Sequence, residues 1–303
     1  MNRRSITIRI PASTANLGPG FDCLGLALNL WNETVLSITK NGLEIKIQGE
    51  GRDVLPHDRQ NQIVRSFYYF LNAKSLPAPG GLCIHCNNQI PLGSGLGSSA
   101  AACLTDLLAA NGLSGNEASL EEILSLATEM EGHPDNVAAA LLGGLVIVVR
   151  DQDTILTRRF DVPELCAVVV IPEVDLPTGV ARTALPLQVP LIDAVFNLGR
   201  TVLVCEAIRI GDYSLLGKVM VDCLHQPYRL PLIPGGEQAL AAARQAGARA
   251  VAISGAGPGL IAFSSQAAEK IAAAMTAEFE SRNVACRTLF LSSSNHGAVS
   301  DII

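Results

Sequence analysis

The sequence carries little charge: Asp, Glu, Lys and Arg make up only 17% of its 303 residues, against 49% apolar residues. That balance excludes a disordered chain, because ample apolar area is available to bury. Gly and Pro number 27 and 16, too few for a collagen-like or low-complexity chain. Basic residues are also short, 22 against 28 acidic ones for a net charge of −6, and none cluster beyond pairs. A nucleic-acid surface needs a basic stripe, so nucleic acid is excluded as a partner. No apolar run approaches the ~20 residues of a membrane span. The longest, residues 137–149, is broken by Gly143 and Gly144, so no membrane partner is expected. The opening MNRRSITIRI lacks the apolar stretch of an export signal, and Ile6, Ile8 and Ile10 alternate with polar residues as in a strand. A cytoplasmic location is the expectation.

Eight cysteines are present. Cys83 and Cys86 form a CxxC, but no second Cys or His pair follows at zinc-site spacing. The segment LCIHC alternates like a strand, so reduced, structural cysteines are expected.

At roughly 100–200 residues per domain the chain has room for one large domain or two ordinary ones. Strand-like segments at 5–10, 27–39, 43–48, 82–87, 145–149 and 155–159 alternate with helix-like ones at 61–72, 99–111, 119–130 and 134–142. From about 161 the reading is a strand at 166–171, helices at 190–210, 212–222 and 235–246, strands at 249–253 and 260–264, a helix at 266–282 and a strand at 286–291. Strands and helices mix in both halves, which predicts an α+β or α/β class with domains over 1–160 and 161–303. No repeat of 20–50 residues is present. The polar tail SSSNHGAVSDII reads as partly mobile.

Four segments carry chemistry. Residues 91–101, PLGSGLGSSAA, lie between a strand and a small-residue helix. Gly93, Gly95 and Gly97 allow tight turning and close approach to a ligand, and Ser98 and Ser99 stand where a helix starts with free N–H groups and its positive dipole end. That arrangement suits phosphate. No Lys precedes the Ser, so the loop is not a Walker A motif, and the Gly-x-Gly-x-Gly spacing without a following acidic partner is not a dinucleotide fingerprint. An ordinary glycine turn capped by Ser is the plain alternative. Ser98 is a candidate hydroxyl near Mg²⁺.

Residues 129–144, EMEGHPDNVAAALLGG, crowd Glu129, Glu131, His133 and Asp135 together. Pro134 with Asp135 in the first turn is a normal helix start. The functional reading puts one carboxylate on a metal and another on a reacting hydroxyl, as phosphoryl transfer asks. Residues 11–25, PASTANLGPGFDCLG, place Ser13, Thr14, Asn16 and Asp22 in a loop suited either to substrate contacts or to simple turning. Residues 254–260, SGAGPGL, read as a hairpin turn or a loop closing on substrate. Asn61 reads as a polar helix start, with adenine contact the weaker alternative.

In order and spacing these four segments resemble the GHMP kinases, over about residues 5–295. The first motif, P-A-S-x-A-N-L-G-P-G-F-D, is similar to that of the homoserine kinases within the superfamily. The resemblance implies an α+β, two-domain fold: an N-terminal domain with a left-handed β-α-β crossover and the phosphate loop, and a ferredoxin-like C-terminal domain. It implies ATP with Mg²⁺, L-homoserine as substrate, O-phospho-L-homoserine as product in threonine biosynthesis, and a homodimer. By the same resemblance Pro91, Leu92, Gly93, Ser94, Gly95, Leu96, Gly97, Ser98, Ser99, Ala100 and Ala101 hold the nucleotide phosphates, and Ser98 and Glu131 (or Glu129) hold Mg²⁺. Asp135 and Asn16 are the catalytic candidates. Asn16, Asp22, Arg182, Arg229 and Gly257 are the substrate-side candidates. An Arg fork suits the substrate carboxylate and an Asp its ammonium. Two rivals remain at this stage: a kinase for threonine or mevalonate, and a nucleotide-binding regulator without catalysis.

Overall fold

The computed structural model describes residues 5–152 and 154–302. Two sheets organise the chain. The first holds β1 (Ser5–Ala15), β2 (Leu24–Thr39), β3 (Gly42–Gly49), β4 (Gly81–Asn88), β5 (Leu145–Asp151), β6 (Thr154–Phe160) and β11 (Val299–Ile302). Its main path runs β11-β1-β2-β4-β3, and β5 pairs with β2 and β6. The alternation read at the N-terminus is real: Ile6, Ile8 and Ile10 are fully buried while Arg9 faces solvent. Beyond Pro11 both faces of β1 are covered, and a register shift between Pro11 and Ala12 turns the strand end toward the site. β3 and β4 pair in parallel, with α1 (Gln62–Ala73) in the crossover between them.

The second sheet runs β10 (Cys286–Ser292), β7 (Cys166–Pro172), β9 (Leu260–Phe263) and β8 (Ala250–Ile253), antiparallel throughout. Between β7 and β8 lie α5 (Thr178–Thr183), α6 (Leu191–Ile210), α7 (Tyr213–Val219), α8 (Gln226–Arg229) and α9 (Gly236–Gln245). α10 (Ala268–Glu280) joins β9 to β10. In chain order the strands lie 4-1-3-2, the ferredoxin-like arrangement.

Two short helices, α5 and α8, are additions to the elements expected from sequence, being too brief to show a period. The tail, expected to be partly mobile, is a correction too. β11 pairs with β1 from Ile6↔Ile302 to Arg9↔Val299, and Asn295 is tied down by Arg159 Nη2 at 2.7 Å and by its own side chain to the Val162 carbonyl and amide. The tail therefore returns to the first sheet and is held by backbone pairing that a polar composition does not reveal.

α2 (Ser98–Ser114) follows the phosphate-loop candidate and is buried on nearly every side, as a helix apolar all round must be. Its Ala100, Ala101, Leu104 and Leu107 are at most 1% exposed, and it packs against α1, β1 and α3 (Leu120–Glu131). A Ser119–Glu122 capping box starts α3, and Gly132 ends it at φ 84° before α4 (Asp135–Leu142) begins. The two helices therefore meet at a corner that carries Glu131, His133 and Asp135.

Among the described residues the core holds one carboxylate that is buried without a hydrogen-bond partner. Asp106 on α2 is fully buried and neither carboxylate oxygen has a hydrogen-bond partner. The nearby Ser66 hydroxyl opposes the burial effect only in part, since it donates to the Gln62 carbonyl at 3.1 Å. Burial pushes the Asp106 carboxyl well above the ordinary carboxylate range. A raised acid stabilises the fold fully below its unfolded pKa, about 4, and that contribution is lost as pH rises through the folded value. We expect Asp106→Asn to match the wild type in Tm below about pH 4 and to exceed it by a few °C at alkaline pH, read by thermal unfolding across pH. Parallel Tm curves for the two proteins would refute this.

Candidate active site

Segments far apart in sequence are stitched together at one cleft between the two sheets. Ser13 donates its amide to the Leu96 carbonyl at 3.1 Å. The Ser254 hydroxyl lies 2.9 Å from Thr14 Oγ1 and 2.7 Å from the Gly95 carbonyl. Asn16 Nδ2 donates to the Gly255 carbonyl at 2.7 Å, and its Oδ1 accepts the Asp22 amide at 3.0 Å. Asn16 and Asp22 hold left-handed backbone, with φ of 68° and 55°. Asn and Asp tolerate that region better than other non-glycine residues. The first, second and fourth sequence segments are thus one structural unit, with the third beside it: Ser13 Oγ contacts Asn136 Oδ1 at 3.0 Å.

Gly95 is where the loop crosses closest to the 254–257 turn. Its φ is +77°, and a Cβ there would lie 2.1 Å from the Ser254 carbonyl oxygen. Backbone on both sides leaves nothing to yield. Forcing an alanine into left-handed backbone alone costs roughly 1–2 kcal/mol. We expect Gly95→Ala to lower ATP affinity about tenfold or more, measured by calorimetric titration, with Tm down by several °C. Wild-type affinity and Tm would show that the close approach is dispensable.

The loop from Pro91 to Gly97 delivers α2 with its N-terminus open to the cleft. Gly97, the N-cap, has φ 72° and supplies no side chain, so the first amides of α2 have no side-chain cap among the described residues. A seventeen-residue helix with bare N-terminal amides is a ready anion site. Gly93, Ser94, Gly95, Gly97, Ser98, Ser99 and Ala100 line the cleft. Pro91, Leu96 and Ala101 are buried behind it and act through the backbone path, while Leu92 turns to an adjoining apolar cavity. That cavity is walled by Ile47, Leu55, Ile63, Cys86 and Leu92 and opens onto Ser98 and Ser99. Asn61 lines it too, but its side-chain groups are engaged in capping α1: Oδ1 accepts from Ile63 and Nδ2 donates to the Pro56 carbonyl.

Of the two acidic candidates before the corner, Glu131 lines the cleft, whereas Glu129 is off the cleft wall and lies near Tyr69 on α1, whose pKa it helps to raise. Glu131 Oε1 accepts from the Ser99 hydroxyl at 2.8 Å and from Gln62 Nε2 at 3.1 Å. The hydroxyl paired with Glu131 is therefore that of Ser99 rather than Ser98, although Ser98 also lines the cleft. Gln62, which sequence reading overlooks, sits where α1 begins and gave no signal beyond being an ordinary polar helix residue.

Asp135 is 2% exposed and held tightly. Its Oδ1 accepts from the Asn136 amide at 2.8 Å and pairs with His133 Nδ1 at 2.9 Å, which leaves Oδ2 for the cleft. That hydrogen bond raises the His133 pKa, so the imidazole favours its charged form beside the carboxylate. The crowding of Glu131, His133 and Asp135 in sequence signals this cluster, but nothing there assigns His133 the job of orienting Asp135.

The substrate-side candidates converge as well. Arg182, on α5, is not a spare cation: its fork grips Asp22 at 2.8 and 2.9 Å, and that bond raises its pKa further. Arg229 is different. It is 1% exposed, at the end of α8, and no carboxylate lies within ion-pair distance among the described residues. Nε donates to the Ala181 carbonyl at 3.2 Å, and Nη1 reaches the Gly255 carbonyl at 3.4 Å and His225 Nδ1 at 3.3 Å. Nη2 is left over on the cleft wall. Burial lowers the Arg229 pKa from its ordinary value, so the cation is held at a cost. His225 beneath it is fully buried, and burial lowers its pKa. The neutral ring then donates Nε2–H to the Gly18 carbonyl at 2.8 Å and accepts from Arg229 at Nδ1. Phe21 stacks on His225 at 5.1 Å and carries both guanidinium groups over its ring, at 5.1 Å for Arg229 and 5.7 Å for Arg182. Gly257 completes the wall.

A phosphate-ready helix start, an acid–hydroxyl pair, a pinned aspartate and a buried cation facing one cleft are the parts of a phosphotransferase site. The GHMP kinases N terminal domain profile matches residues 61–144, and the GHMP kinases C terminal profile matches residues 204–281. The homoserine kinase of Moorella thermoacetica is 46% identical over 96% of this chain and 98% of its own length. The chain belongs to the homoserine kinase family of the GHMP kinases. A second homoserine kinase, from Caldanaerobacter subterraneus subsp. tengcongensis, is 41% identical over 98% of this chain and 96% of its own. The crystal structure of homoserine kinase from Cytophaga hutchinsonii superposes with a TM-score of 0.85 at 35% identity, covering 99% of this chain and 97% of that one. As a member of this GHMP kinase family the protein is an ATP-dependent small-molecule kinase of two-domain α+β fold. No helix among the described residues is long and apolar enough to cross a membrane.

Proposed function

We propose that the protein transfers the γ-phosphoryl group of ATP to the side-chain hydroxyl of L-homoserine, giving O-phospho-L-homoserine and ADP. The observation that carries this reading is Arg229, a buried cation that has no carboxylate partner among the described residues and opens onto the cleft holding Asp135 and the phosphate loop. It favours an acceptor that brings its own carboxylate. The names of the 40–46% identical relatives support the same acceptor.

The chain's own residues account for the transfer by alignment and charge placement, which is what phosphoryl transfer chiefly requires. The α2 amides and the loop backbone hold the phosphates, and the adjoining apolar cavity takes the nucleoside base. Ser99 and Glu131 (with Ser98 at hand) present hard oxygen donors at the phosphates, a set that fits Mg²⁺. Mg²⁺ bound there supplies charge neutralisation on the phosphates. Arg229 Nη2 takes the substrate carboxylate. Asp22, freed in part from Arg182, takes the ammonium, and Arg182 follows the carboxylate. Asn16 and Asp135 Oδ2 orient the hydroxyl, and Asp135 accepts its proton as the O–P bond forms.

α6 turns Leu191, Val195, Leu198 and Val202 outward, each more than half exposed. This apolar stripe supports a homodimer through that helix, and the composition supports a cytoplasmic location.

The deciding experiment measures ADP release with MgATP offered L-homoserine, L-threonine, mevalonate or galactose separately. Stimulation by homoserine alone is expected. Stimulation by another acceptor moves the error to the Arg229 side of the cleft. ATP binding without ADP release from any of them overturns the kinase reading in favour of a nucleotide-binding regulator.

A further inference from the structure

We infer that the outer face of the first sheet carries a zinc-class metal site, built by Glu44, Cys83 and His85, outside the phosphotransfer cleft. The CxxC of the sequence does not form it. On strand β4, positions three apart face opposite ways, and Cys86 is buried in the core beside Ile84-side neighbours while Cys83 turns outward. What shares a face with Cys83 is His85, two residues on. β3 runs parallel to β4 in the register Glu44↔Cys83 and Lys46↔His85, which brings the third donor alongside.

The distances suit a metal. Cys83 Sγ lies 3.8 Å from Glu44 Oε2 and 3.5 Å from His85 Nε2. One donor atom from each of the three residues fits within 4.8 Å of the others. With Zn–S near 2.3 Å and Zn–N and Zn–O near 2.0–2.2 Å, adjacent donors of a tetrahedron stand about 3.3–3.6 Å apart. The three ligands therefore need only small rotamer adjustments to close on an ion, and a tetrahedral fourth position remains for water. Their backbones are pinned by the buried Ile45, Ile47, Ile84 and Cys86 on the opposite face. A thiolate, an imidazole and one carboxylate select zinc-class ions over Mg²⁺ and Ca²⁺, which prefer all-oxygen sets. Thiolate and carboxylate together match the double charge of the ion. Lys46 Nζ holds the other Glu44 oxygen, Oε1, at 2.7 Å and so aims Oε2 at the cluster. On binding, the thiol proton that now faces Glu44 leaves to solvent and sulfur becomes the ligand.

None of the three ligands lines the cleft. β3 is the edge strand of the sheet, and past Gly49 the chain leads through residues 50–61 into α1. A metal bridging β3 to β4 cross-links that edge, so its effect is on stability of the edge rather than on chemistry.

The test uses the full chain, dialysed against a chelator and titrated with cobalt(II) and then zinc(II). One equivalent of cobalt is expected to raise a thiolate-to-cobalt charge-transfer band with tetrahedral visible bands, and zinc is expected to bleach both and raise Tm. Cys83→Ser and His85→Ala are each expected to abolish the bands and the zinc-dependent Tm rise, while ADP formation with MgATP and acceptor stays at the wild-type rate and certifies folding. Absence of the bands in the wild-type chain, or bands that persist in Cys83→Ser, overturns the site. The second outcome would move binding to one of the seven other cysteines.

Discussion

Asp135→Asn is expected to reduce kcat with homoserine by about 10²–10⁴-fold, the usual range for loss of a positioned proton acceptor, while KM for homoserine and for ATP changes only a few-fold. The substitution is nearly isosteric. Oδ1 can keep both its contacts, with the Asn136 amide and with His133. What is lost is the negative charge and the basicity of the oxygen that faces the cleft. If transfer to the hydroxyl is limited by that acceptor, the loss falls on turnover and not on binding. His133 provides an independent readout. Its pKa is raised chiefly by the Asp135 hydrogen bond, so in the variant its imidazole should titrate at lower pH, visible by NMR. A variant with wild-type kcat and a lowered His133 pKa would show that the charge is removed and that chemistry does not need it. A loose transition state of this reaction class asks little of a base, so the size of the kcat loss measures how far Asp135 goes beyond orienting the hydroxyl.

The loop 91–101 and the cluster 129–135 were legible in sequence because local features determine them: glycines at left-handed positions, a helix start, and carboxylates crowded at a helix–helix corner. What the sequence could not rank was partner choice. Glu131 over Glu129 depends on Tyr69, which lies on a helix some sixty residues away. Ser99 over Ser98 depends on which way the first turn of α2 faces the corner, and neighbouring helical residues point about 100° apart. Arg182 and Asp22 read as two separate substrate contacts, yet they grip each other, because the segments that bear them are brought together only by the packing of α5 against the first loop. The β11 tail was missed for the same reason. Strand pairing with β1 is non-local, and four residues of mixed polarity carry no period. The alternation of LCIHC within the strand expected at 82–87 matches β4, but its outward half gains meaning only beside β3.

Arg229→Met is expected to raise the homoserine KM by about 10²–10³-fold, with ATP KM nearly unchanged and the uncomplexed protein about as stable as wild type. The two halves of that expectation come from one fact, the burial of a guanidinium with no carboxylate partner among the described residues. In the free protein the cation is desolvated for little return, a penalty of several kcal/mol. Against it stand its bonds to Ala181, Gly255 and His225, each worth about 0.5–1.5 kcal/mol. Met fills similar volume without charge, so the relieved desolvation and the lost hydrogen bonds nearly offset, and Gly255 retains Asn16 as a donor. Homoserine binding has no such compensation. Removing one partner of a buried charge pair typically costs 2–5 kcal/mol, and each 1.4 kcal/mol is tenfold. Arg182 cannot take over at full strength because Asp22 competes for its fork. The carboxylate-free analogue homoserinol isolates the contact. Wild type should use it poorly, and Arg229→Met should use it about as well as wild type does, because the pair is already broken from the ligand side. Equal losses for homoserine and homoserinol in the variant would instead mean that Arg229 shapes the cleft rather than binding a carboxylate, and the acceptor assignment would lose the observation it rests on.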